Sequence, residues 1–235
     1  MGASMTMSQK AKETPLMRQY WEIKRQHEDK ILFFRMGDFF EIFFEDAVIA
    51  APLLNIALTS RNKKAQDETP MCGMPHHSVA TPISKLLSAG YKVAICDQLE
   101  DPAEAKGIVK RGVTRVLTPG MVYDPDTLSE LKANFVACFD SSHLALIDAS
   151  TGISWLYQVK TQKEVMDLIG LLQPAEIVLT AQQRAAENLS LPSHIHLSVS
   201  DALETVWPDN FMGLPEAAQR LLTYAVKMQG REVLS

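Results

Sequence analysis

Six of the nine phenylalanines in this 235-residue chain fall in one window, Phe33, Phe34, Phe39, Phe40, Phe43 and Phe44, and a Gly37-Asp38 turn signal divides them. Successive side chains of an extended strand point to opposite faces. After that turn Phe39 and Phe40 must therefore point opposite ways, and one of them is expected in solvent. Phe33 and Phe43 read as core. An exposed Phe beside a carboxylate, Glu41, in the more basic part of a chain is the kind of wedge that minor-groove proteins push between base steps. The bland alternative for the window is a hydrophobic core strand.

Other chemistry is thinly represented. No G-x-x-x-x-G-K-[ST], G-x-G-x-x-G or G-x-S-x-G motif occurs, so the chain offers no nucleotide-binding or serine-hydrolase signature. His76 and His77 are adjacent and point in different directions, and no H-E-x-x-H or Cys/His spacing completes a metal site around them. His194 and His196 would share one face of a strand, yet with no third ligand nearby they read as surface residues. Cys72, Cys96 and Cys138 fit neither a disulfide framework nor a C-x-x-C motif and read as reduced thiols. No catalytic, metal or cofactor residue is assigned on this basis.

The elements that position these residues follow from periodicity and punctuation. Thr14-Pro15 predicts a helix start, with the helix running from 15 to about 29. Ile31–Met36 reads as a strand, Gly37-Asp38 as a tight turn and Phe39–Phe43 as a second extended stretch. Glu45–Leu54 suits a helix, Ile56–Ser60 a strand and Arg61–Pro70 a polar loop; Ser78 should cap a helix ending at Gly90, with strands at Tyr91–Cys96 and Val113–Leu117. Further on, Asn134–Phe139, His143–Asp148 and Ile153–Tyr157 read as three successive strands. Helix 161–171, strand Glu176–Leu179 and a helix from Pro215 to about Met228 follow.

Composition frames this as a folded protein: 46% hydrophobic and 22% charged residues exclude disordered, collagen-like and coiled-coil classes. No apolar run is long enough for a membrane-spanning helix, and the N-terminus lacks the apolar core of a signal peptide, so a cytoplasmic protein is expected. The net charge of −5 is unevenly shared. Residues 1–115 carry 16 basic and 14 acidic residues, residues 116–235 carry 7 and 14, so the first part is the better polyanion binder. The Pro, Gly and Asp of Thr118–Thr127 mark a boundary. The expected organisation is a flexible N-terminus or expression remnant over 1–14, a small mixed α+β domain over 15–116, a linker over 117–132, and an RNase H-like α/β domain over 133–235. That second fold often carries carboxylates for two-metal nucleic-acid hydrolysis, for which Asp140, Asp148, Glu164, Asp167 and Glu176 are available. Glu164 and Asp167 also fit a solvated helix face.

The stretch Phe33–Ala47 closely resembles the start of the MutS family of DNA mismatch-repair proteins. The resemblance continues through Leu58–Arg61, Pro70–His77, Val93–Gln98 and Arg115–Gly120 in the family's order and spacing. It implies a mismatch-binding domain followed by a connector domain, which in the family is not a nuclease. It implies that Phe39 is the wedge inserted at a mispair and Glu41 its polar partner. It further suggests Arg61, Lys106, Lys110 and Arg111 as phosphate contacts, and Met71, His76 and His77 as residues near the duplex. The implied partners are duplex DNA with mispairs or small loops and, through the connector, a MutL-type protein. The chain looks like a monomeric piece of a longer bacterial, nucleoid-associated homodimer, whose ATP- and magnesium-dependent ATPase lies outside it.

Overall fold

The computed structural model describes residues 14–61, 69–102, 105, 107–121, 134–186, 191–203, 211 and 213–229. They form two compact units divided after Val116, with the short segment Leu87–Tyr91 grouped with the second.

The first unit opens with α1 (Pro15–Lys24), whose N-cap Thr14 accepts a hydrogen bond from the Met17 N–H at 3.3 Å. The helix is shorter than its periodicity suggests, because from Gln26 on the backbone bonds reach back only three residues, Gln26 to Ile23 and His27 to Lys24, and the α pattern stops. The Lys24 Nζ donates to the backbone oxygens of Glu28 and Lys30 and pairs with Asp46 at 2.9 Å, which holds the segment that follows the helix. Strands β1 (Lys30–Met36) and β2 (Phe39–Phe43) form an antiparallel hairpin, followed by α2 (Phe44–Leu54), β3 (Thr59–Ser60) and β4 (Pro70–Pro75). Then come α3 (Ala80–Ser88), β5 (Lys92–Gln98) and β6 (Arg111–Leu117), and the sheet order is β3-β4-β2-β1-β5-β6. Tyr20, Leu32, Phe34, Phe43, Ala94 and Cys96 form one core cluster.

Two expectations are corrected here. Ser78 does not cap α3: it lies in a 3-10 turn, His76–Ser78, and the helix begins at Ala80. The strand expected over Ile56–Ser60 shrinks to two residues, because only Thr59 and Ser60 find partners on β4.

In the second unit β7 (Phe135–Phe139), β8 (His143–Asp148) and β9 (Ser154–Gln158) run antiparallel. After α4 (Gln162–Leu172), β10 (Glu176–Leu179) adds parallel to β7. After α5 (Ala181–Ala185), β11 (His196–Val199) adds parallel to β10, and α6 (Glu216–Gln229) closes the described chain. The order β11-β10-β7-β8-β9, three antiparallel strands extended by two parallel ones, is the RNase H-like arrangement. Thr118 and Met121, in the Pro- and Gly-bearing stretch, form a bridge and are fully buried in this unit, while 122–132 lie outside the described residues.

Candidate nucleic-acid interface

The Phe window folds into the β1–β2 hairpin. Met36 pairs with Phe39 across the two-residue turn Gly37-Asp38, and Gly37 has φ 58°, a left-handed conformation that glycine adopts without a Cβ penalty. Alternation then separates the neighbours: Phe39 is 48% exposed and Phe40 only 4%. Phe40 packs 6.1 Å from Phe33, with the Arg35 guanidinium 5.5 Å over its ring. The hairpin thus buries its other aromatic anchors and leaves one ring in solvent.

Glu41 stands two residues along β2, on the face that Phe39 also uses. Its neighbours in the ladder are Phe34 on β1 and Gly73 on β4, and a Cβ on Gly73 would come within 3.6 Å of the Glu41 Cγ. The tighter approach is to the Phe40 backbone oxygen, at 3.1 Å, so the glycine lets β4 lie close against β2. Arg61 approaches it at 3.3 Å, with the guanidinium 5.6 Å over the Phe43 ring. Burial pushes the Glu41 carboxyl above its ordinary range, and Arg61 partly opposes this.

The other expected contact residues are dispersed in role. His76 Nδ1 lies 3.0 Å from the Asp38 oxygen, and its own N–H donates to the same oxygen at 2.9 Å, so this histidine is a partner of the turn. His77 is exposed, its ring edge-on to His76 at 5.6 Å. Met71 pairs with Phe43 in the β2–β4 ladder and packs, half-buried, against the core cluster. Arg111 is engaged within its own sheet: its guanidinium donates to the Arg35 oxygen at 2.6 Å, to Val109 and to Gln19, and sits 5.2 Å over Phe34. Lys110 is exposed, and Lys106 lies outside the described residues.

Sequence reasoning missed β4 and Arg35. Pro70, Gly73 and Pro75 hide β4 as a strand. Arg35 carries a signal only through its position, opposite Phe40 in a hairpin whose register the Gly-Asp turn fixes.

The hydrolytic alternative finds no assembled site. Asp140 accepts from the N–H groups of Ser142, His143 and Ala217; Asp148 accepts from Ser150; Glu164 accepts from the Lys160 N–H just before α4; Asp167 is an exposed helix residue. Glu176 is fully buried and accepts from Thr118, Gly120, Ser198 and Tyr224. Asp140, Asp148, Glu164 and Glu176 each accept hydrogen bonds within the fold, and among the described residues no three His, Cys, Asp or Glu side chains gather around a common point. His194 sits in the turn before β11 and does not share a strand face with His196, because the strand begins only at His196. The three thiols are buried and free, pushed up to about 11 for Cys72 and about 12 for Cys96 and Cys138 by desolvation. No helix among the described residues is long and apolar enough to cross a membrane.

Fold and site define a class: a two-unit α/β protein that holds one exposed aromatic ring and one half-buried carboxylate on the same face of a braced hairpin. The model for "MutS domain I" matches residues 14–126. The "DNA mismatch repair protein MutS" of Bacillus velezensis is 41% identical over 234 residues, 95% of this chain and 27% of that protein. That of Geobacillus sp. is 39% identical over 234 residues, 94% of this chain and 27% of its own length. That of Syntrophomonas wolfei is 49% identical over 173 residues, 71% and 20% respectively. The chain belongs to the MutS family, and it spans about a fifth to a quarter of the length of these relatives.

Proposed function

We propose that this chain recognises mispaired or unpaired bases in duplex DNA by inserting the Phe39 ring at the defect, as the probing part of a longer ATP-dependent mismatch-repair protein. The observation that carries the reading is the single exposed ring, Phe39, at the tip of a hairpin whose other aromatics are buried or half-buried. Unstacking a base step costs a few kcal/mol and least where the pair is already defective, while stacking on an aromatic ring returns about 1–3 kcal/mol. The ring therefore selects weak steps without reading sequence.

Glu41 supplies the polar half. Burial favours its neutral form, and a protonated carboxyl donates to an acceptor such as purine N7 where a carboxylate would be repelled by phosphates. Lys110, His77 and Arg61 are the described side chains assigned to sequence-independent contacts, with Lys106 beyond the described residues. ATP and magnesium, homodimerisation and ATP hydrolysis belong to the longer protein. A MutL-type partner is assigned to the second unit, in the half of the chain with 14 acidic against 7 basic residues, a balance better suited to protein than to DNA.

The test is a low-salt titration of the chain with a duplex carrying one G·T mispair or one unpaired base against the matched duplex, in wild type and Phe39→Ala, with magnesium present and the DNA sized afterwards. Tighter binding to the defective duplex that disappears in Phe39→Ala, with intact DNA, is expected. Equal binding in all combinations overturns the reading, and cleavage returns attention to Asp140 and Asp148.

A further inference from the structure

The turn that presents Phe39 is held from both sides by side chains outside it. In a two-residue hairpin turn the two central carbonyls point away from the ladder and normally face water. Here the Gly37 oxygen accepts from Arg35 Nε at 2.5 Å. The Asp38 oxygen accepts from the His76 N–H at 2.9 Å and faces His76 Nδ1 at 3.0 Å. A carbonyl only accepts, so the His76 ring keeps its proton on Nδ1. Pro75 stands opposite Phe39 at the end of β4 and has no N–H to give, so the next residue closes the ladder onto the turn. Arg35 is itself fixed, its guanidinium over the Phe40 ring and its backbone oxygen accepting from Arg111.

We propose that Arg35 and His76 are positioning residues that set the Gly37-Asp38 turn, and with it the direction of the Phe39 ring, before any DNA is met. The inference rests on the wedge reading for its purpose, though the brace is a property of the free chain. A ring that is 48% exposed is only partly held by packing, so its direction depends strongly on the backbone that carries it. A turn left to fluctuate has to be ordered at the moment of insertion, which lowers the preference for a defective duplex.

The test uses the whole 235-residue chain. Backbone 15N order parameters at Gly37, Asp38 and Phe39 should lie near the rigid value of about 0.85 in wild type and fall toward about 0.6 in the pair Arg35→Ala with His76→Ala. The preference for a G·T duplex over the matched one should fall about tenfold in that pair, the order of fixing one residue's backbone. Because the alanine pair could loosen the whole sheet, Arg35→Gln with His76→Asn serves as the second variant; it keeps both donors, drops the Arg35 charge, and should restore both readouts. A mobile turn in wild type, an unchanged preference in the alanine pair, or no rescue by Gln and Asn overturns the proposal. A rigid turn in a wild type that shows no preference for defective DNA overturns the wedge reading instead and leaves the brace standing.

Discussion

Glu41 and Arg61 meet at 3.3 Å on the face of β2 that carries the exposed Phe39, so the polar half of the site holds its own counter-charge. Burial, the larger effect, raises the Glu41 carboxyl, and Arg61 pulls it back. Removing the cation by Arg61→Gln should raise it further, read from the side-chain carboxyl carbon in an NMR titration; an unchanged or lower value contradicts this balance. The sign for stability follows. With its folded value above the unfolded one, Glu41 contributes stability at pH below about 4.3 that is lost as pH rises through the folded value. Wild type measured against Glu41→Gln should thus be relatively most stable in acid and lose ground toward neutrality.

A carboxylate near phosphates repels them when charged. Glu41→Gln keeps the shape and a hydrogen-bond donor while deleting the charge, and it should bind matched duplex about two- to threefold more tightly, the size of one unit charge at ~8 Å in water. Weaker binding to matched duplex in a titration at fixed low salt contradicts the repulsion.

The part of the site that follows from local rules was legible in the chain. Phe39 and Phe40 differ in exposure because a Gly-Asp turn fixes where the two-residue alternation starts, and both facts are written in six consecutive residues. The second unit was legible because β7, β8 and β9 are apolar runs with clear turns between them. β4 was not, since Pro70 and Pro75 read as breakers although a proline at a strand end withholds no bond the ladder needs. Nor was Arg111, whose charge on paper suits a phosphate but whose partners include an oxygen 76 residues away, which no local pattern encodes.

Arg111 and Lys110 are neighbours with opposite consequences. Arg111→Ala removes donors from the Arg35, Val109 and Gln19 oxygens and a cation from above Phe34, so it should cost about 2 kcal/mol in urea denaturation. Lys110→Ala should leave stability within about 0.5 kcal/mol while lowering the slope of log K against log salt for DNA by about 0.9. If Arg111→Ala changes the salt slope and not the stability, its internal role is wrong.

Glu176 gathers the start of the second unit. Thr118 Oγ1 and Tyr224 Oη each donate to it at 2.5 Å, the Gly120 N–H at 3.1 Å, and Ser198 as well, all out of water. Tyr224→Phe deletes one donor and leaves the others, and it should cost about 1–3 kcal/mol, the range for leaving a buried acceptor short of a partner. Glu176→Gln turns an acceptor toward donors and should cost more. Equal stability of Tyr224→Phe and wild type in chemical denaturation rules out the hub as a significant source of stability.

Gly73 and Gly112 offer a matched pair of substitutions that separates rigid from yielding surroundings. A Cβ at Gly73 would stand 3.1 Å from the Phe40 backbone oxygen and 3.6 Å from the Glu41 Cγ; a Cβ at Gly112 would stand 2.9 Å from the Leu99 Cδ1. By distance alone the second is worse. The obstacle at Gly112, however, is the free end of a leucine that is largely exposed, whereas the obstacle at Gly73 is a carbonyl fixed within the hairpin. Gly73→Ala should therefore be the more destabilising, by about 1–3 kcal/mol, and should also move the Glu41 titration, since the side chain that shares its space faces Arg61. Gly112→Ala should change stability little and leave Glu41 untouched. Denaturation of both variants with the Glu41 carboxyl followed by NMR decides it, and the reverse order would mean that the ladder around Glu41 yields more easily than a surface side chain.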